Sequence, residues 1–244
     1  MAPRMLAVVL LLCFASPAQS QSLVADLSTR EVAISTGFTG AELLLFGATE
    51  GSGDIVVTVV GPPRDEIVRR KERVAGIWVN GASVTFEAAP AYYRIAASKP
   101  LDEVASPAIL ERLQIGTSRI GLFTRSQQPA DYILTFRKAL IRNKKRLQLY
   151  SEDISDIKIQ RGRLFRSTIP FPVNVPIGEY LVTVYLFKGG KLVSEEETPL
   201  TVHKVGLEAQ IYDFAHNRAP WYGAIAIFIA LLAGWLAGVI FRRA

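Results

Sequence analysis

The sequence predicts a mainly β fold: one or two immunoglobulin-like antiparallel sandwiches with a helical insert, followed by a single C-terminal transmembrane helix. Three observations carry that expectation. Short runs rich in β-branched and aromatic residues, separated by turn residues, fill 21–100 and 151–206. Between them, 101–150 has helix-forming composition, and near the end an uncharged run of 21 residues extends from Trp221 to Phe241.

Residues 1–20 read as a cleaved export signal. Arg4 gives a positive start, Met5–Ala15 is an apolar run, and Ala18 and Ser20 fit the −3 and −1 positions before Gln21. Eleven residues make a helix of only about 16 Å, too short for a hydrocarbon core of about 30 Å. Leu12 before Cys13 is too large for a lipidation site.

In 21–100 the expected strands are Glu42–Ala48, Ile55–Val60, Val74–Val79, Ser83–Phe86 and Tyr92–Ala97. Asn80-Gly81 is a two-residue hairpin signal, because a type I′ turn needs positive φ at both positions. Gly61-Pro62-Pro63 breaks the chain before a charged run. In 101–150, helices are expected over Asp102–Leu113 and Pro129–Leu149, the second with an apolar stripe of Ile133, Phe136, Leu140 and Leu147. In 151–206, Leu181–Phe187 and Lys191–Ser194 flank Gly189-Gly190 as a second hairpin, while Pro170, Pro172 and Pro176 mark an extended segment.

Residues 207–220 read as a juxtamembrane stalk with Leu207, Ile211 and Phe214 at helical spacing, and 221–241 as the membrane helix. Each Lys, Arg or Asp near its middle would cost about 2.5–3.5 kcal/mol to insert, and it has none. Trp221 and Tyr222 suit the headgroup level, and Pro220 suits a helix start. Arg242 and Arg243, in the tail 242–244, favour the cytoplasmic side. The expected location is the bacterial inner membrane, single-pass, with a periplasmic N-terminal domain and a cytoplasmic C-terminus.

Composition agrees with a folded domain: 50% of residues are hydrophobic and 20% charged. Cys13 is the only cysteine, so the mature domain has no thiol chemistry and no disulfide.

Three features invite a functional reading. Arg137, Lys138, Arg142, Lys144, Lys145 and Arg146 place six positive charges in ten residues without a carboxylate. They could contact an anionic envelope component, lipid or cell-wall polymer, although a solvated helix face is the plainer reading. Arg69, Lys71 and Arg73 would share one face of a strand, where they could bind an anion but more simply guard an edge. Ala226, Ala230, Gly234 and Gly238 recur every four residues and line one face of the membrane helix, and Gly234–Gly238 is a GxxxG motif. That face suits packing against another helix, in a homodimer or in a multi-spanning partner.

Nothing in the sequence points to catalysis, a cofactor or a metal. His203 and His216 stand apart from any HExxH pattern, and there is no phosphate loop or GxSxG elbow. Glu152, Asp153 and Asp156 cluster, without the register of a calcium loop. A tethered hydrolase is the least favoured alternative, and an exported domain argues against nucleic acid.

The stretches Val24–Thr49 (VADLSTREVAISTGFTGAELLLFGAT), Val68–Asn80 (VRRKERVAGIWVN) and Pro176–Phe187 (PIGEYLVTVYLF) resemble the alphaproteobacterial transmembrane protein family Alph_Pro_TM, over nearly the whole chain. The resemblance implies an architecture and brings no catalytic residues with it. It also implies a genomic neighbourhood with a sulfite-exporter-type permease, which suits a transporter accessory. The expected function is a membrane-tethered periplasmic binding module that associates with an integral membrane protein. The alternative is an envelope-binding protein that uses its basic face.

Overall fold

The computed structural model describes residues 23–151, 153–206 and 214–241. The expected export signal, the tail 242–244 and the first half of the stalk lie outside those residues, as does Glu152.

Twelve strands and four helices follow one another along the described chain. The first seven strands are β1 (Leu23–Leu27), β2 (Glu31–Ile34), β3 (Ala41–Thr49), β4 (Asp54–Val60), β5 (Pro63–Val74), β6 (Ile77–Pro90) and β7 (Tyr93–Ala97). Three helices come next: α1 (Leu101–Val104), α2 (Pro107–Arg112) and α3 (Ala130–Arg146). Then come β8 (Ser155–Asp156), β9 (Lys158–Gln160), β10 (Leu164–Phe171), β11 (Gly178–Lys188), β12 (Lys191–Lys204) and α4 (Ala219–Phe241).

Two larger sheets share one apolar core. The first has the order β1-β3-β10-β9 and the second β2-β12-β11-β4-β7-β8. In β1 and β10 buried and exposed residues alternate, as in a sheet with one face on the core and one in water. In β4 five consecutive residues are buried, so the centre of the second sheet is covered on both faces. Val57 and Val59 lie beside Ile169 of β10. On the opposite face, Thr58, Thr183 and Tyr185 lie beside Leu113, Gln114 and Ile120, which the helical insert brings over the sheet. The core draws on strands both before and after that insert. The pairings of β12 with β2 and of β7 with β8 are parallel, so the second sheet is mixed rather than purely antiparallel as expected.

Three aromatic rings join the two sheets at one end. Tyr92 stacks on Phe171 with centroids 5.3 Å apart, and Tyr180 meets both rings edge-on at 5.6 and 5.8 Å. The hydroxyl of Tyr92 donates to the Pro170 carbonyl at 2.7 Å, so the buried ring satisfies its polar end. Gly61 is where the chain leaves β4. A Cβ there would come within 2.8 Å of Tyr92 and 3.0 Å of Tyr180, so the glycine permits this approach.

The third sheet is a hairpin of β5 and β6, and here the structure corrects the sequence reading. The turn is Ala75-Gly76, with φ of 50° and 84°, and Val74 pairs with Ile77 across it. Val74–Val79 is therefore not one strand. Asn80-Gly81 sits inside β6, where Gly81 and Ala82 together face Arg70 alone as a β-bulge. Gly189-Gly190 does turn β11 into β12, with φ of 55° and 78°.

The expected helix Asp102–Leu113 is interrupted. Ser106 precedes Pro107 and is extended, as the proline ring demands, so α1 ends and α2 starts with the proline in its first turn. The other expected helix ends at Arg146, not Leu149. Gln148 takes φ of 59°, and the Leu149 and Gln148 amides donate back to the Lys144 and Lys145 carbonyls in a Schellman closure. Leu147, placed by the sequence on the apolar stripe, is exposed, while Phe136 and Leu140 are buried.

Replacing Tyr92 by Phe removes a buried hydroxyl bond and should cost about 1–2 kcal/mol, read as a lower denaturant midpoint with an unchanged slope. Burial, first among the causes, holds the phenols of Tyr92, Tyr93, Tyr150, Tyr180 and Tyr185 above the ordinary tyrosine range. Because the folded pKa is the raised one, their contribution to stability is intact below about pH 10 and is lost as pH rises further. In an alkaline titration these phenols should ionise together with the loss of near-ultraviolet circular dichroism. Ionisation with that signal intact would contradict their burial.

Candidate functional site

Helix α3 carries the six basic residues, and the fold disperses them. Its inner face packs Phe136 and Leu140 against Val84, Phe86 and Ala89 of β6, in a small core separate from the main one. Lys144 continues that inner face. It is 7% exposed, and its ammonium donates to the Glu66 carboxylate of β5. The sequence placed Lys144 with the outward charges, but its charge is spent inside the fold. Arg137 is half-buried and donates to the carbonyls of Ser118 and Ile120 at 2.9 and 2.8 Å, which ties down the segment before the helix. Lys138, Arg142 and Arg146 are exposed, and Arg146 bonds Asn143 at 3.0 Å.

Lys145 borders a polar hollow of about 520 Å³ with Arg94, Gln148, Tyr150, Asp153, Ser155 and Asp156. Two cations and two carboxylates share it, so it is not a uniformly basic site. Among the described residues the buried Nε of Arg94 has no hydrogen-bond partner, while its Nη2 reaches the Gln148 carbonyl at 3.4 Å. Among the described residues, no three His, Cys, Asp or Glu side chains gather as a metal site.

The run Arg69–Arg73 lies on β5. Alternation puts Glu66, Val68 and Arg70 toward α3, and the Arg70 guanidinium sits 5.2 Å from the Phe136 ring centroid and 5.6 Å from that of Tyr132. Arg69, Lys71 and Arg73 share the other side of the strand and are exposed. The sequence reading missed the apolar tip beyond them, where Trp78 is 64% exposed. The signal that could have found it is Ala75-Gly76, a small pair able to turn, with Val74 before it and Ile77-Trp78-Val79 after it.

Ala226, Ala230, Gly234 and Gly238 lie on α4, which has 23 residues and a mean hydropathy of 2.6 in its most apolar window. At 1.5 Å per residue that is about 34 Å, long enough to cross a membrane. None of that window is buried against the rest of the chain, and a Cβ at Gly234 or Gly238 would meet nothing within 4 Å.

The chain belongs to the family described as "Putative transmembrane protein (Alph_Pro_TM)", which matches residues 22–243. Among solved structures it is similar to the sporulation control protein Spo0M from Bacillus subtilis. They are 12% identical, with a TM-score of 0.31, over 80% of this chain and 54% of that one, so the chain spans about half of Spo0M's length. It is also similar to the bacterial superantigen toxic shock syndrome toxin-1, at 6% identity and a TM-score of 0.27, over 75% and 99% of the two chains. Neither likeness bears on function. No curated protein matches the chain.

Lys144→Ala should destabilise the protein by about 3 kcal/mol, the lower end for a broken buried pair, because Glu66 keeps 28% of its side chain in water. Lys144→Met with Glu66→Leu should recover much of that loss. Arg142→Ala should stay within about 0.5 kcal/mol. Thermal unfolding of the three variants checks this, and equal losses at Lys144 and Arg142 would contradict the division.

Proposed function

We propose that the chain is a membrane-anchored binding module that associates through α4 with an integral membrane protein, a permease being the expected kind. The observation that carries this is the row Ala226, Ala230, Gly234 and Gly238 on a helix whose most apolar window is not buried, with open space beside Gly234 and Gly238. Small residues four apart let two backbones approach closely, and such contacts drive helix association where water cannot. The β domain then sits over the partner's outer face. Trp221 and Tyr222 at one end of α4, and Arg242 and Arg243 past the other in the sequence, support a periplasmic β domain and a cytoplasmic C-terminus in the bacterial inner membrane. The reading is of binding and not of catalysis. An envelope contact through α3 alone is weaker, because Arg137 and Lys144 are committed inside the fold.

Mild cross-linking in membranes, followed by purification of the full chain, should bring down a multi-spanning protein. Gly234→Leu with Gly238→Leu should remove that partner by filling the groove, while leaving the thermal transition of the β domain unchanged. Undiminished recovery of the partner with this double variant would refute helix docking.

A further inference from the structure

The β5–β6 hairpin is supported at its root and free at its end. Val68 and Ala82 still pack on the small core beneath α3, and Arg70 lies over the Tyr132 and Phe136 rings of that helix. Beyond it, all ten residues from Lys71 to Asn80 are exposed. Four strand residues from Arg70 to Val74 carry the ribbon about 14 Å past its support.

The exposed end is not a polar turn. Val74 is 57% exposed, Ile77 68%, Trp78 64% and Val79 38%. One such residue on a surface is ordinary, whereas four around a single turn make a patch. Residues directly opposite share a face, so Val74, Ile77, Val79 and Glu72 lie on one side of the ribbon. Trp78, Arg73, Asn80 and Lys71 lie on the other. The Glu72 carboxylate accepts the Ala82 amide at 3.4 Å, within the bulge. The free end therefore presents an apolar tip backed by cations, in the order tip, Arg73, Lys71, Arg69.

We propose that this tip inserts into the headgroup layer of the bilayer that anchors the chain, with Arg73 and Lys71 on lipid phosphates. The inference rests on the reading that α4 spans that bilayer. Trp78 is the side chain that favours the interface, with an apolar body and one polar N–H. The spacing also fits. A headgroup layer is about 5–8 Å deep on each side of the hydrocarbon. Arg73 is level with Trp78, and Lys71 is two residues back, or about 7 Å. Both cations then fall within that layer. A second copy of the chain would bring Arg69, Lys71 and Arg73 against the same charges. Nine residues separate Lys204 from the helical turn that opens at Phe214, a tether that extends to about 30 Å at most.

The test uses the full chain in vesicles of phosphatidylethanolamine and phosphatidylglycerol. The chain has three tryptophans, so Trp221→Phe with Trp235→Phe leaves Trp78 as the sole indole. Flotation with the vesicles reports anchoring. The expected result is blue-shifted Trp78 emission that is quenched more by lipids brominated near the carbonyl end of the acyl chain than near its terminus. Reversing Arg69, Lys71 and Arg73 to Glu should restore water-like emission while the chain still floats. A floating chain whose Trp78 is fully open to an aqueous quencher overturns the insertion and leaves the anchor standing. Shielding from the aqueous quencher without lipid quenching overturns it too, in favour of a protein partner or second copy. A chain that does not float refutes the anchor, and this inference with it.

Discussion

The contact among Tyr92, Phe171 and Tyr180 is the constraint on which the rest of the structure depends. Phe171 ends β10 in one sheet, while Tyr92 and Tyr180 belong to the neighbourhood of β7 and β11 in the other. Their stacking therefore fixes how the two sheets lie on each other at that end. The same cluster governs the hairpin. β4 and β7 are antiparallel neighbours, and the β5–β6 ribbon continues them beyond Gly61 and Ala91. At this root the Gly61 amide donates to the Tyr92 carbonyl, and the Ala91 amide to that of Pro62, at 2.8 and 2.9 Å. The ribbon thus leaves the body from a clamped base, and its direction is set by packing.

A second layer of control comes from α3. The ion pair of Lys144 with Glu66 lies next to the small core of Phe86, Phe136 and Leu140. A buried pair contributes little net stability, because desolvation offsets the attraction, but leaving either partner alone is costly. Its effect is on specificity: a sliding of the ribbon along the helix would strand one charge. Arg70 on the two aromatic rings adds a further match of position. With Val68 packed on the small core between them, Glu66 and Arg70 hence hold β5 in one register on the helix.

Much of this was legible in the sequence, and the failures have physical causes. Gly189-Gly190 announces its turn because both residues take positive φ without strain. The helix α4 is visible because its uncharged run is long enough to cross a bilayer and too apolar all round for a water-facing surface. The β5–β6 turn misled because Asn80-Gly81 and Ala75-Gly76 can both host a tight reversal. The choice between them is made at a distance, by the need to bury Val84 and Phe86 on α3. The charges of α3 misled for a similar reason. Helical spacing locates Lys144 on the Leu140 side, yet only the presence of Glu66 on a strand 78 residues away allows an ammonium to be buried there. The break between α1 and α2, by contrast, was readable from Pro107 itself, which keeps Ser106 out of the helical region.

The outer strands have a bearing on how many copies the membrane can hold. The edges of the two larger sheets are β1, β9, β2 and β8, of five, three, four and two residues. Unpaired strands of that length offer a neighbour too short a ladder to add to. An anchored protein meets its own kind in two dimensions, where the effective concentration is far above that in solution. Short margins let such a population crowd without polymerising edge to edge. The long ribbon is the exception, and there Arg69, Lys71 and Arg73 supply mutual repulsion where brevity does not.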